Sequence, residues 1–541
     1  MAISRIDQWA TSVGFRFSTE KTKAIVFYRD KRWIKDQEIE LKFRNTSIRF
    51  YENVKFLGLI FDQHLNWKAH IRHVKGRALK AMNLIKKLSH VSWGADRKTL
   101  MMLYKSTVLS IMDYGSPIYS SASDAALKIL DPVHHLGIRL ATGAFKSSPV
   151  TSLIAESGEL PLYNRFEQNT MQRALKLKIS QSPVRELFIN TDQMPNCKQK
   201  PSLPIRANTF FNDYNINVNE INNFEYNFPP WTRKLPKICS KLNIISKRNI
   251  NDNVLKQLTE EHKNEHADSI AIYTDGSKSK DGVGFAVIST TFQIKSSLPN
   301  NASIYTAELM AIKSALIKVI RLNLRKVVLY SDSLSAIEGI NSFRFKNSIV
   351  LEIQAIIHQL KQKNIQIILC WIPAHIGIRG NEEADSAAKE AINSPRITNR
   401  LPVNDHASRI KDIIRNKWQT QWSNIPLTNK LRNIKDTSLK WKSSLQNLRI
   451  YEVVLARLRI GHTNMTHGHL MCTPHNPPPI CDACRVEITV QHILKDCTKF
   501  NQVRPRYFRE KSLKEILAES EEFSSDYIFM FLNRCNILKS I

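Results

Sequence analysis

Between residues 269 and 390 the chain alternates β-branched runs with helix-patterned stretches, and an acid sits in its own short frame beside four of them. That alternation restricts the segment to a mixed α/β layer architecture. Ser269 to Thr274 reads as a buried strand that reaches a turn at Asp275-Gly276-Ser277. Gly284 to Ser289 and Phe292 to Leu298 read as two further strands, an antiparallel meander at the sheet edge. Ala302 to Ile320 has helical spacing, with Glu308 in its early turns. Lys326 to Ser331 is a strand with Asp332 at its carboxyl end, and Ile365 to Trp371 is another, stopped at Pro373. Asn381 is a good N-cap, which places Asp385 in the first turns of a last helix, where Glu382 and Glu383 serve as dipole partners. Two acids thus lie at strand ends and two on helices facing them, and the carboxyl ends of strands are where ligand sites gather in such sheets.

The frames are Tyr273-Thr274-Asp275-Gly276-Ser277, Tyr305-Thr306-Ala307-Glu308-Leu309, Val327 to Ser333 around Asp332, and Gly380 to Asp385. Ahead of the last acid comes Trp371-Ile372-Pro373-Ala374-His375-Ile376-Gly377, with His375 ten residues before Asp385. Several carboxylates converging on one pocket are what phosphodiester hydrolysis between two divalent ions requires, and Mg²⁺ prefers such hard oxygen ligands. Together these motifs resemble type 1 ribonuclease H, which implies a mixed five-stranded sheet with flanking helices and cleavage of the RNA strand of an RNA–DNA hybrid. By that resemblance Asp275 bridges two Mg²⁺ ions (or Mn²⁺ in their place), Glu308 and Asp332 hold one, and Asp385 holds the other. His375 takes the place of a mobile-loop histidine, and Ser277, Thr306 and Asn381 are expected to contact nucleic acid. Four clustered carboxylates repel one another, so the metal-free site should hold its protons tightly.

The flanks carry the charge. Net charge is +31 over 541 residues, yet residues 266–394 hold 14 Lys and Arg against 11 Asp and Glu, or +3, leaving +28 outside. Such an excess suits nucleic-acid backbone held through counterion release. Apolar stretches are broken by charge well short of a membrane span, and MAISRIDQWA lacks a signal pattern, so an intracellular protein of nucleus or cytoplasm is expected.

In the N-terminal third, Val13 to Tyr28, Phe56-Leu57-Gly58, Leu65-Asn66-Trp67 and Asp113-Tyr114-Gly115 occur in an order that resembles the region after the polymerase active site in non-LTR, LINE-like retrotransposon reverse transcriptases. The resemblance matches Lys21 to a late palm lysine, Phe56 to Gly58 to a primer-grip hairpin, and helix 70–88 to a thumb helix. That helix sets Ile71, Val74, Ala78, Ile85 and Leu88 on one face, with Arg72, Lys75, Lys80 and Lys87 elsewhere; Lys75 and Lys80 are candidates for backbone contact. No Tyr-x-Asp-Asp run occurs, so polymerase activity is not expected from this chain alone, and an element-encoded reverse transcriptase becomes a candidate partner.

Asn, Lys and Pro enrich residues 191–265, and 171–265 reads as a linker with short helices in which Cys197 and Cys239 stand isolated. Residues 395–470 read as helical, with Ile410, Ile414, Trp418 and Trp422 as a core stripe. In 471–541, Cys481-x₂-Cys484-x₇-His492-x₄-Cys497 is a closed tetrahedral donor set for one structural Zn²⁺, with Cys472, His475 and His462 as spare donors. It resembles the C-terminal CCHC segment of insect LINE proteins. The expected architecture is therefore a reverse-transcriptase-like 1–170, the linker, a nuclease at 266–394, and two C-terminal helical regions. Two function classes stay open: a metal-dependent endoribonuclease, and a catalytically silent nucleic-acid-binding remnant.

Overall fold

The computed structural model describes residues 2–28, 40–44, 46–191, 200–224, 229, 235–239, 251–344, 347–471, 476–508, 510–520 and 523–541. The chain forms two compact units, one from residues 1–173, 193–206 and 413–541, the other from 174–192 and 207–412.

The second unit is built on a six-stranded mixed sheet. Its strands are β1 (Lys237–Cys239), β2 (Ile270–Lys278), β3 (Val283–Ser289), β4 (Gln293–Leu298), β5 (Lys326–Ser331) and β6 (Gln366–Trp371). Their spatial order is β1-β6-β5-β2-β3-β4, with β2, β5, β6 and β1 parallel and β2-β3-β4 an antiparallel meander. Four helices matter to the site: α1 (Asp252–Glu265), α2 (Ile304–Arg321), α3 (Ser348–Gln362) and α4 (Arg379–Glu390). Strand alternation divides the core. Ile272, Val327, Leu329, Ile367 and Leu369 pack with Leu309, Ile312, Leu316 and Ile353 of α2 and α3. Tyr273, Val328, Tyr330 and Cys370 pack with Leu255 of α1 and Ala384 of α4.

Three expectations are corrected here. The sheet has six strands, because Lys237-Ile238-Cys239 pairs in parallel with Ile368-Leu369-Cys370 and covers the edge that β6 would otherwise expose. Residues 171–265 are more than linker: Ile221–Asn222 pairs with Leu401–Pro402, Asn222 donates to Glu352 at 2.8 Å, and α1 runs for 14 residues. Asp275 lies inside a strand, since β2 stays paired to β3 through Lys278 and no turn forms at Gly276. Asp332 does follow the end of β5.

The first unit joins both flanks around one hydrophobic core, running from Ile71, Val74 and Leu100 through Trp418 and Trp422 to Phe508 and Phe531. Ile410, Ile414, Trp418 and Trp422 are all buried, as the stripe predicts. The basic helix spans Lys68–Leu88 and buries Ile71, Val74, Ala78, Met82 and Ile85, while Leu88 is exposed, so Met82 completes the stripe instead. Lys80 is exposed and Lys75 half-buried.

The N-terminal motifs have physical reasons. Asn53–Phe56 and Leu59–Asp62 form a hairpin whose tip, Leu57-Gly58, has positive φ at both residues, as a tight two-residue turn demands. Tyr114 donates its hydroxyl to the Leu57 carbonyl at 2.7 Å, and Gly115 has positive φ with Leu59 pressed against it. Asp113 accepts a bidentate pair from Arg165. Asp62 accepts the backbone amides of His64, Asn66 and Trp67, which fixes the turn into the basic helix.

Candidate active site

Glycine brings the acids together. A Cβ on Gly276 would lie 2.8 Å from the Glu308 amide and 2.9 Å from the Ala307 Cβ, so only glycine lets α2 approach β2 this closely. Gly284 does the same for α4, with the Ala388 carbonyl 2.6 Å from where its Cβ would be. Gly380 lies against the Tyr273 ring in the same manner. The Ser303 side chain caps α2 by accepting the Thr306 amide, which sets Glu308 in the second turn.

Ligand oxygens of Asp275, Glu308 and Asp332 lie within 4.8 Å of one another, and the first two carboxylates are buried. Burial pushes the Asp275 carboxyl up to about 7, and the neighbouring Asp332 and Asp385 charges push in the same direction. Glu308 is driven well above the usual carboxylate range by burial first, then by Asp275 and Asp332. Asp332 is also raised by burial, with opposition from its Asn381 hydrogen bond and the nearby His375. Glu308 Oε2 is buried without a hydrogen-bond partner. Three clustered, desolvated carboxylates with an unsatisfied oxygen make a donor set suited to a hard divalent cation.

The remaining site residues sit close by. Asp385 forms an ion pair with Lys389 at 2.7 Å, and its ligand oxygen groups with His375 and Glu382 within 4.8 Å. His375 is exposed on its loop at φ +56°, followed by Gly377 at φ +80°. Glu382 accepts the Gly377 amide at 3.2 Å and Glu383 pairs with Arg379. The cap of α4 is Ile378, however, and not Asn381. Asn381 is buried in the first turn, where its amide donates to Asp332 at 3.4 Å. Thr306 is buried too, its hydroxyl taken by Ser303. Asn381 thus touches Asp332 directly and Thr306 belongs to the cap of α2, while Ser277 is half-buried near the end of β2. Sequence reasoning passed over Lys389, although its position four residues after Asp385 on a helix is a recognisable ion-pair spacing. Trp371 has a role that its motif does not announce. The indole donates to the Asp332 carbonyl at 3.0 Å and so fixes the end of β5.

Residues 267–393 match the family model for RNase H. Those residues are an RNase H domain. The chain is also 23% identical over 126 residues to the "Retrovirus-related Pol polyprotein from type-1 retrotransposable element R1 4" of Nasonia vitripennis, a match covering 23% of this chain and 32% of that protein. It is 27% identical over 79 residues to the "Retrovirus-related Pol polyprotein from type-1 retrotransposable element R1" of Bradysia coprophila, covering 15% of this chain and 8% of that protein. The match thus spans about a third of one relative and under a tenth of the other. Among solved structures, RNase H1 from the halophilic archaeon Halobacterium salinarum NRC-1 is 19% identical and covers 23% of this chain and 98% of its own, with a TM-score of 0.19. The chain thus contains an RNase H domain and is similar, over part of its length, to R1 retrotransposon Pol polyproteins.

In the first unit, Cys481, Cys484, His492 and Cys497 bring their ligand atoms within 4.8 Å of one another. Cys481 and Cys497 sulfurs are 3.7 Å apart, and His492 Nε2 is buried without a partner. A tight turn shapes the knuckle: Arg485, at φ +57°, donates its amide to the Cys481 carbonyl, and the Thr498 amide donates to the Cys484 sulfur. Burial pushes the Cys497 thiol up to about 11, a proton load that a bound cation would displace. His462 instead bonds Ser147 and stacks on His467, and Cys472 and His475 lie outside the described residues.

Proposed function

We propose that the RNase H domain is a metal-dependent endoribonuclease that hydrolyses the RNA strand of RNA–DNA hybrids. The observation that carries this reading is the cluster of Asp275, Glu308 and Asp332, the first two buried, with Asp385 on the helix beside it. Asp275, Glu308, Asp332 and Asp385 would hold Mg²⁺, and bound Mg²⁺ would activate the attacking water and stabilise the leaving oxygen. Asn381 and Trp371 hold Asp332 from its side-chain and backbone ends, so its carboxylate is oriented before any ion arrives. His375, exposed on a glycine-bearing loop, carries a proton between the site and solvent. Recognition of the RNA strand falls to contacts with 2′-hydroxyls near the cut, with Ser277, half-buried near the end of β2, as the candidate.

The CCHC cluster holds one structural Zn²⁺, and the basic helix with Lys75 and Lys80 grips nucleic-acid backbone. An element-encoded reverse transcriptase is the natural protein partner. The test uses the full chain with an end-labelled RNA–DNA hybrid, duplex RNA and duplex DNA, each with Mg²⁺ or chelator. Metal-dependent cutting confined to the RNA of the hybrid, abolished in Asp275→Asn, is the expected result. Hybrid binding by folded protein without any cutting would replace the enzyme with a silent nucleic-acid-binding relic.

A further inference from the structure

Beneath the sheet, on the face carrying α1, three soft donors from three distant parts of the chain meet. Cys239 comes from the edge strand β1, His262 from α1 and Cys370 from β6, and their ligand atoms lie within 4.8 Å of one another. Cys239 and Cys370 are direct partners in the parallel β1–β6 ladder, so their side chains leave the sheet on the same face. His262 lies over them with Nδ1 4.0 Å from the Cys370 sulfur and 3.1 Å from the Tyr330 hydroxyl. Cys370 and His262 are buried among Leu255, Tyr273, Val328 and Ile372.

We infer that Cys239, His262 and Cys370 form a second zinc site, distinct from the CCHC cluster, that fastens β1 and α1 to the nuclease sheet. Zn–S distances of about 2.3 Å and Zn–N of about 2.0 Å put tetrahedral donor atoms roughly 3.4–3.8 Å apart, so donors within 4.8 Å of one another draw in by up to about 1 Å to close on the ion. Tyr330, already within reach of His262 Nδ1, stands where a fourth donor or a water-holding group is needed. Two thiolates and an imidazole select a thiophilic ion over the hard cation that suits the carboxylates. Burial first, and then the neighbouring Cys239, drives the Cys370 thiol far up.

The consequence is architectural. β1 is three residues long and pairs only with β6 among the described strands, too little to hold an edge strand by its backbone. A metal bridge across β1, α1 and β6 makes the segment before the family-matched region an integral part of the nuclease unit.

The test is the zinc content of the full chain purified under reducing conditions, compared with Cys239→Ser and His262→Gln. Each variant is expected to lose one equivalent relative to the parent, whereas Cys481→Ser loses a different one, so the two sites fail independently. Cobalt substitution should show thiolate charge-transfer absorbance that Cys239→Ser diminishes. Stripping zinc from the Cys481→Ser background should speed amide exchange in residues 235–239 and 252–265 and leave β2 and β5 unchanged. Cys239 is only half-buried, so its variant tests the site even where Cys370→Ser fails to fold. Zinc content equal to the parent in folded Cys239→Ser and His262→Gln, or a Cys239–Cys370 disulfide recovered from cells, would overturn the proposal.

Discussion

Two clusters of buried charge among the described residues are handled in opposite ways. In the nuclease unit, Asp275 and Glu308 are buried beside Asp332 without an ion pair to the three among the described residues, and Lys389 is committed to Asp385. In the other unit, Glu156 is fully buried but meets Arg97 at 3.0 Å and the Ser444 hydroxyl at 3.0 Å, with Lys435 and Arg459 close by. Arg97 also donates its backbone amide to Glu452, which pairs with Arg449, and Lys435 donates to the Ala155 carbonyl. Burial raises Glu308, yet the combined pull of Arg97, Lys435 and Arg459 overcomes the same burial and lowers Glu156. Like charges left unpaired mark a site that awaits a ligand; opposite charges set against one another mark a structural clamp. Here the clamp ties Arg97 and Glu156, from the N-terminal flank, to Lys435, Ser444 and Glu452, from the C-terminal flank.

The largest effect should come from Asp275→Asn. Cleavage of hybrid is expected to fall about 10³-fold or more, some 4 kcal/mol of barrier. The metal-free domain should not lose stability, because the substitution removes one of the repelling charges. Calorimetry and single-turnover cleavage on the same preparation read both, and a destabilised Asp275→Asn would show that the acids are not in conflict.

Glu156→Gln should do the reverse. It leaves Arg97 and Lys435 buried without their counter-charge, which costs about 3–5 kcal/mol. Chemical denaturation should show the loss in the transition reported by the buried Trp418 and Trp422, with hybrid cleavage by the folded protein unchanged. A neutral outcome would mean that water reaches the clamp.

How much of this could be read beforehand follows from where each signal lies. The acids stand in local frames, so the strands, the long helix at Glu308 and the carboxylate cluster were legible. The CCHC spacing was equally local, and the four donors do converge. What escaped was non-local. Lys237-Ile238-Cys239 carries no strand signal inside an Asn, Lys and Pro-rich stretch, and its strand identity comes from the edge of β6. Cys239 looked isolated because its neighbours are 23 and 131 residues away. Arg97 and Glu156 meet Lys435 and Glu452 across some 280 to 350 residues, so separate flanking regions were expected where one shared core exists. The break expected at Gly276 was a misread glycine: it marks the close approach of a helix, not a turn.

The pH dependence sharpens the contrast. Asp275 has its folded value raised to about 7 against an ordinary 3.8. Its contribution to metal-free stability is therefore fully present below about pH 4 and is lost as pH rises toward 7. The expected loss is on the order of 2–4 kcal/mol in the nuclease unit, absent in Asp275→Asn. Mg²⁺ must displace that proton, so its affinity should climb by up to about tenfold per pH unit below 7 and level off above. Isothermal titration from pH 5.5 to 8 measures this, and a flat profile would mean that Asp275 is ionised throughout.

The smallest predicted effect separates geometry from charge. Gly276→Ala adds one methyl group where the Glu308 amide and Ala307 Cβ already press in at 2.8 and 2.9 Å. No charge changes, yet α2 must move away from β2, at about 1–3 kcal/mol. The shift should separate Glu308 from Asp275 and weaken Mg²⁺ binding while leaving its pH midpoint near 7, because Asp275 stays desolvated beside Asp332 and Asp385. An unchanged Mg²⁺ affinity would show that Glu308 reaches the ion by side-chain flexibility, and that the glycine serves packing alone. A lowered midpoint would show instead that water had entered with the displaced helix, and that the raised proton affinity of Asp275 depends on how tightly β2 and α2 are held together.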